Sequence, residues 1–216
     1  EKYSDMIEYY TTWVHQIKTP IAAMRLKIQA EDSDFSRRVG RELTRIEQYV
    51  EMVLTFLRLD SSDSDYVIRE YELDRLLKDS IKKYSGEFID RKIRLDFKPS
   101  GAKILTDEKW FSFVIEQIIS NALKYTNEGQ VSVFCAADKL FIKDTGMGIA
   151  PEDLPRIFER GYTGFNGRVD KKASGIGLYL CKRICKKLGH EISAESERGK
   201  GTTIIIDVAK KKLGVE

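Results

Sequence analysis

Between residues 39 and 57 the apolar side chains fall at Val39, Leu43, Ile46, Val50, Val53 and Leu57, a 4-3-4-3-4 spacing. A seven-residue period of this kind gathers the apolar groups into one stripe of an α-helix, and that stripe demands a second helix to cover it. A partner lies just upstream. Met6, Tyr10, Trp13, Ile17, Met24 and Ile28 recur at helical spacing, and Glu31-Asp32-Ser33-Asp34 separates the two stretches. Ser33 or Asp34 is the expected N-cap of the second helix. The pattern predicts an antiparallel helical hairpin over residues 1–61. Ile7, Val14, Ile21 and Leu54 widen the stripe beyond what two helices bury. Pairing two hairpins into a dimeric four-helix bundle covers the excess. The alternative is a hairpin packed on the chain's own second domain.

Composition limits what the remainder is for. The chain has 216 residues, 42% apolar and 33% charged, which is globular rather than disordered. Its formal charge is +3, too small a basic excess for a nucleic-acid binder of this size. The three cysteines argue against a disulfide framework and suit a reducing compartment. Cys181 and Cys185 share a helix face near His190. A metal site there would lack a fourth ligand, and buried core thiols are the simpler expectation. No apolar run approaches a membrane span. The first ten residues already read as helix, without a start methionine or N-cap, as expected of a cytoplasmic fragment whose N-terminal part is missing.

Ser61-Ser62-Asp63-Ser64-Asp65 is a polar break. Beyond it the pattern predicts strand 67–72, helix 73–90, strands 93–98 and 102–105, and helix 107–124. Strands 130–137 and 139–144, a loop over 145–173, helix 175–188 and strands 191–197 and 202–209 follow. This reads as a second domain over 66–212, a mostly antiparallel sheet with helices on one face, and α+β overall. The 145–173 loop is long enough to suggest a functional lid.

Five short motifs carry chemistry. W-V-H-Q-I-K-T-P (13–20) puts His15 on the first helix, with Thr19 on the same face and Lys18 adding positive charge. Pro20 removes one backbone donor there and disturbs the carbonyl of Gln16. E-Q-I-I-S-N-A-L-K-Y-T (116–126) offers Asn121 as an oxygen ligand for Mg²⁺ and Lys124 as a phosphate charge. D-T-G-M-G-I (144–149) follows an apolar strand, and Asp144 is suited to accept from an adenine amine. S-G-I-G-L-Y-L (174–180) opens a helix whose first N–H groups suit phosphate, yet it matches neither a P-loop nor a dinucleotide fingerprint. G-K-G-T-T (199–203) is a turn into the last strand, as readily a plain hairpin turn as a functional one. Each alone is weak.

Taken in this order, the five motifs resemble the sensor histidine kinases of bacterial two-component systems, across essentially the whole chain. That resemblance implies a dimerisation and histidine-phosphotransfer hairpin followed by a Bergerat (GHKL-type) α/β sandwich that binds ATP. It implies His15 as phosphoacceptor through Nε2, Asn121 on Mg²⁺, and Lys124 and Tyr125 on phosphate and nucleotide. Asp144 would read adenine in a pocket shaped by Gly146 and Gly148. Gly175 and Gly177 would border the triphosphate, with Thr202 also at the nucleotide. I-F-E-R-G (157–161) looks like the phenylalanine box before the ATP lid, with Arg160 near the γ-phosphate. The stretches 13–20, 107–126 and 159–168 resemble the intramembrane-sensing kinases paired with peptide-antibiotic, bacitracin-type ABC transporters. Partners implied are a second copy, a response regulator and such a transporter, with two membrane helices upstream.

Two departures stand out. Many relatives carry an acid directly after the phosphoacceptor; here it is Gln16, which can fix the imidazole tautomer but cannot take its proton. Related ATPases place a Glu near Gln117 to activate water. Gln cannot do so, and Glu116 points about 100° away around the helix. Thr19 matches the position that orients water for dephosphorylating the regulator, so a bifunctional enzyme is expected. The rival readings are a GHKL-type ATPase and a catalytically weak dimerisation and nucleotide-sensing module.

Overall fold

The computed structural model describes residues 2–31, 33–59, 66–164 and 174–209. The chain divides into two compact units, Glu1–Asp65 and Tyr66–Glu216. The polar break at 61–65 and the last part of the expected lid, 165–173, lie outside the described residues.

The first unit is the hairpin: α1 (Lys2–Gln29) and α2 (Asp34–Leu59). Ser33 caps α2, its Oγ accepting from the Ser36 N–H at 3.1 Å. Helix α1 runs through Pro20. The seam divides unequally. Leu43, Val50 and Leu57, seven apart, are buried, with Val14, Val50 and Leu54 forming one cluster against Ile17. Ile46 and Val53, the alternate seam positions, are 44% and 43% exposed. Trp13 and Met24 on α1 are exposed as well. Gly40 faces α1, where a Cβ would sit 3.4 Å from Cδ1 of Ile28, about an ordinary van der Waals contact. Lys18 pairs with Glu51 of α2 at 2.9 Å, so its charge is compensated rather than lent to His15 as the local sequence suggested.

The second unit is built on a five-stranded sheet from β2 (Arg94–Lys98), β4 (Gln130–Ala136), β5 (Lys139–Asp144), β6 (Glu191–Glu197) and β7 (Gly201–Asp207), in the order β2-β4-β5-β7-β6. Three pairings are antiparallel, and β2 runs parallel to β4. The expected strand near 102–105 does not join this sheet. As β3 (Lys103–Thr106) it pairs with β1 (Arg69–Glu72) in a separate antiparallel ribbon. Alternation explains the layering: Val131, Val133, Leu140, Ile142, Ile204 and Ile206 are buried, and the residues between them face away.

The helical layer holds α3 (Leu73–Lys83), α4 (Ser85–Asp90), α5 (Glu108–Tyr125) and α6 (Gly177–Lys187). The single helix expected over 73–90 breaks at Tyr84, where φ is −104° and ψ 5°. Ser85 and Gly86 are weak helix formers, and the Ser85 hydroxyl donates to the Lys82 carbonyl at 2.9 Å. Helix α5 is the core of the unit: Phe111, Ile115, Ile118, Ile119 and Leu123 are buried. Asp107 starts it. One carboxylate oxygen accepts from Trp110 N–H at 3.0 Å, and the other from Val67 N–H at 2.8 Å, pinning the entry of the unit to this helix. Cys181 and Cys185 are buried on α6, and burial pushes the Cys185 thiol up to about 12. His190 bonds Thr106 Oγ1 at 3.1 Å against the Phe111 ring. Among the described residues no cluster of acids, histidines and cysteines could hold a metal ion. Both thiols are packed in the core of the unit.

Candidate functional site

Three of the five motifs meet at one end of the five-stranded sheet: the end of α5, the turn after Asp144 and the β6–β7 turn. Asp144 ends β5 and is 7% exposed. Its Oδ1 accepts from the N–H of Gly146 at 2.8 Å and of Thr202 at 3.2 Å. Burial raises its pKa above the usual aspartate value, and these two N–H groups oppose that shift. Both bonds fall on Oδ1. Oδ2 accepts none among the described residues.

The turn after Asp144 is clamped from two sides. Met147 N–H donates to the Tyr125 carbonyl at the end of α5, at 3.1 Å. A Cβ on Gly146 would lie 2.2 Å from that same carbonyl oxygen, so only glycine lets strand and helix end approach. From the other side, Gly199 N–H donates to Met147 O at 2.7 Å and Ile149 N–H to Ser196 Oγ at 2.8 Å. The G-K-G-T-T segment is the β6–β7 hairpin turn and also part of the site, because Thr202 is bonded to Asp144.

Asn121, Lys124 and Tyr125 are half-buried on the last turns of α5, with the Lys124 ammonium 5.1 Å from the Tyr125 ring centroid. Gly177 is the first residue of α6, whose N-cap Ile176 makes no side-chain cap bond. First-turn N–H groups of this kind present partial positive charge. Gly161 N–H donates to the Gly175 carbonyl at 2.9 Å, which closes the neck of the 162–174 segment. A Cβ on Gly175 would come 2.5 Å from the Gly161 carbonyl carbon, so this neck also requires glycine. Tyr162 OH bonds Asp153, and the Arg156 guanidinium lies 4.2 Å from the Tyr162 ring. Arg160 is exposed beside this neck. Gln117 is buried, and Glu116 is ion-paired to Lys83 of α3.

His15, Gln16 and Thr19 belong to the other unit, exposed on α1. The Thr19 hydroxyl donates back to the His15 carbonyl at 3.1 Å.

Sequence reading missed Arg91. Its guanidinium donates to the carbonyls of Leu123 and, at 2.7 Å, Thr126, and Glu87 lies 3.5 Å away. These are last-turn carbonyls of α5, which a helix leaves without partners. Arg91 thus holds the helix end that carries Lys124 and Tyr125. Its acceptors are more than thirty residues away in sequence, and no local pattern announces them. Arg91→Ala removes two charge-assisted bonds and is expected to cost about 2 kcal/mol. Urea unfolding should show the midpoint falling with the slope unchanged; an unaltered midpoint would show that water replaces the guanidinium.

Residues 106–212 match the family described as histidine kinase-, DNA gyrase B-, and HSP90-like ATPase. The chain is 37% identical over 205 residues to the sensor histidine kinase YxdK of Bacillus subtilis, covering 92% of this chain and 63% of that protein. It is 33% identical to the sensor protein BceS of Halalkalibacterium halodurans, covering 92% and 61%. With the sensor histidine kinase GraS of Staphylococcus haemolyticus the identity is 37%, over 93% and 60%. The chain therefore spans less than two thirds of these relatives. Among solved structures, full-length ShkA in complex with AMPPNP aligns with a TM-score of 0.63 at 22% identity, over 92% of this chain and 45% of that one. The Acinetobacter baumannii histidine kinase AdeS aligns with 0.57 at 20%, over 91% and 98%. At such identities these two establish the fold.

Proposed function

Since the chain belongs to the bacterial sensor histidine kinases, we propose that its second unit binds ATP and that the γ-phosphoryl group passes to His15. The observation that carries the reading is the buried Asp144 carboxylate, with Oδ1 held by two backbone N–H groups and Oδ2 left for a ligand donor. An adenine amine is such a donor. Lys124 and Tyr125 would contact phosphate and nucleotide, the uncapped start of α6 with Gly175 and Gly177 would border the triphosphate, Arg160 would meet its γ end, and Thr202 would form the base-side wall. The donor set fits a magnesium ion held mainly by nucleotide oxygens. Asn121 offers one carbonyl oxygen, and no acidic cage exists among the described residues. Such an ion neutralises phosphate charge when bound.

In the transfer, a His15 ring nitrogen forms the N–P bond as the bond from γ-phosphorus to the bridging oxygen breaks and ADP leaves. Catalysis of this class rests on positioning and charge stabilisation. His15 is exposed, so it is accessible to a nucleotide-loaded unit and afterwards to the aspartate of a response regulator. Hydrolysis is disfavoured, because Gln117 cannot act as base and Glu116 is engaged by Lys83. That speaks against the ATPase reading. The exposed seam residues Ile46 and Val53 suit a homodimer through the hairpins. Among the described residues no helix is long and apolar enough to cross a membrane. Attachment to a membrane, an antibiotic-type stimulus and an ABC transporter partner are proposed from the resemblance of stretches 13–20, 107–126 and 159–168 to the intramembrane-sensing kinases.

Incubation with γ-labelled ATP and Mg²⁺ should give acid-labile, base-stable label on the chain that vanishes in His15→Ala. Label that persists in that variant, or phosphate release without label, rejects the reading. Gln16→Glu should raise the labelling rate if the missing acid limits it; an equal or lower rate shows that another group or water takes the proton. Thr19→Ala should keep labelling but lose phosphatase activity toward the regulator, and unchanged phosphatase activity would dismiss bifunctionality. Ile46→Glu with Val53→Glu should leave a helical monomer by light scattering. A dimer that survives both charges would place the interface elsewhere.

A further inference from the structure

The sheet has a second face that the nucleotide site does not use. Opposite the helix-covered residues, Phe134, Phe141 and Ile205 stand in one row across β4, β5 and β7, since Phe134 is in register with Phe141 and Phe141 with Ile205. The two rings stack at 4.9 Å with planes 10° apart and are half-buried. Lys139 and Lys143 beside them on β5, and Glu191 and Glu195 on β6, are exposed, so this face is open.

Charge on this face is polarised. Going toward the β2 edge it is basic, with Lys139, Lys143 and then Arg94; Asp96 is the exception, and Lys98 lies 3.7 Å from it. Toward the β6 edge it is acidic, with Asp207 in register with Glu191, followed by Glu195; Glu197 at the end of the strand is paired with Lys200 at 2.6 Å. A surface with an apolar centre and opposite charges on its two flanks is complementary to itself under one two-fold only. An axis perpendicular to the strands lays acid on acid. An axis parallel to the strands, between β5 and β7, lays Phe141 of one copy on Ile205 of the other and Lys139 on Asp207.

We propose that this outer sheet face is a self-association surface whose occupant is the same face of a second copy, packed as one sheet on another. Four overlapped strands about seven residues long cover about 450 Å² per copy, or about 900 Å² in total. That is below the standard size of stable complexes, so the contact is weak and concentration-dependent. It is separate from the hairpin seam, and each chain then carries two self-complementary surfaces. Together they link hairpin dimers into larger assemblies. The inference is independent of the phosphotransfer reading, because it needs no nucleotide.

The test is sedimentation velocity of the full chain over a hundredfold concentration range at low salt. The wild-type weight-average mass should rise with concentration above that of Phe141→Glu, and the rise should disappear at high salt. Lys139→Glu/Lys143→Glu and Glu191→Lys/Glu195→Lys alter only exposed side chains, so the fold is retained. Each alone should lose the rise, because the flanks then repel. An equimolar mixture should regain it, because one copy is now acidic on both flanks and the other basic. A wild-type mass no greater than that of Phe141→Glu overturns the proposal. So does undiminished growth in either reversal chain, or a mixture that does not recover.

Discussion

The candidate ligand site of the second unit is organised by the bonds around the Asp144 carboxylate. Three remote pieces of chain meet there: the end of β5, the end of α5 and the β6–β7 turn. The Thr202 and Gly146 N–H groups tie two of them to Oδ1, and the Met147 bond to the Tyr125 carbonyl adds the third. A carboxylate in this position is unfavourable by itself. Burial raises its pKa, so the native chain binds the proton more tightly than the unfolded one does. The cost of ionisation is absent below the ordinary aspartate value and fully present once the pH exceeds the raised one. An adenine amine bonded to Oδ2 would stabilise the ionised form and offset that cost. In the proposed reading, nucleotide affinity is therefore full above the raised value and falls as the pH drops through it.

The hairpin divides its apolar surface in a comparable way. Leu43, Val50 and Leu57 are used inside one chain, while Ile46 and Val53 on the same stripe are left outward. A seven-residue period cannot separate the two uses, since it says only that the stripe is apolar. The heptad in the sequence was thus a sound guide to the helix and to its need for company. Which residues of the stripe are buried within the hairpin and which stay exposed came only with the packed structure.

Legibility followed the distance over which each feature is determined. The hairpin, the Ser33 cap and the glycine turns were readable because their causes lie within a few residues. Five features were not. The β1–β3 ribbon and the parallel β2–β4 pair are choices among strands that look alike in sequence. The break at Tyr84 depends on the Ser85 hydroxyl taking a backbone carbonyl in place of a weak helical continuation. Lys18, which read as charge for His15, is claimed by Glu51. Arg91 serves carbonyls on another helix, and nothing around it in sequence indicates this. At the candidate site the motif residues themselves were legible, whereas the residues that hold their backbones in place were not.

The most direct test is a carbon-13 NMR titration of the Asp144 carboxyl in the whole chain, free and saturated with a non-hydrolysable ATP analogue. The midpoint should lie above the ordinary aspartate value in the free protein and move clearly downward on saturation. A free midpoint at or below the ordinary value, or one that nucleotide leaves unmoved, would contradict it.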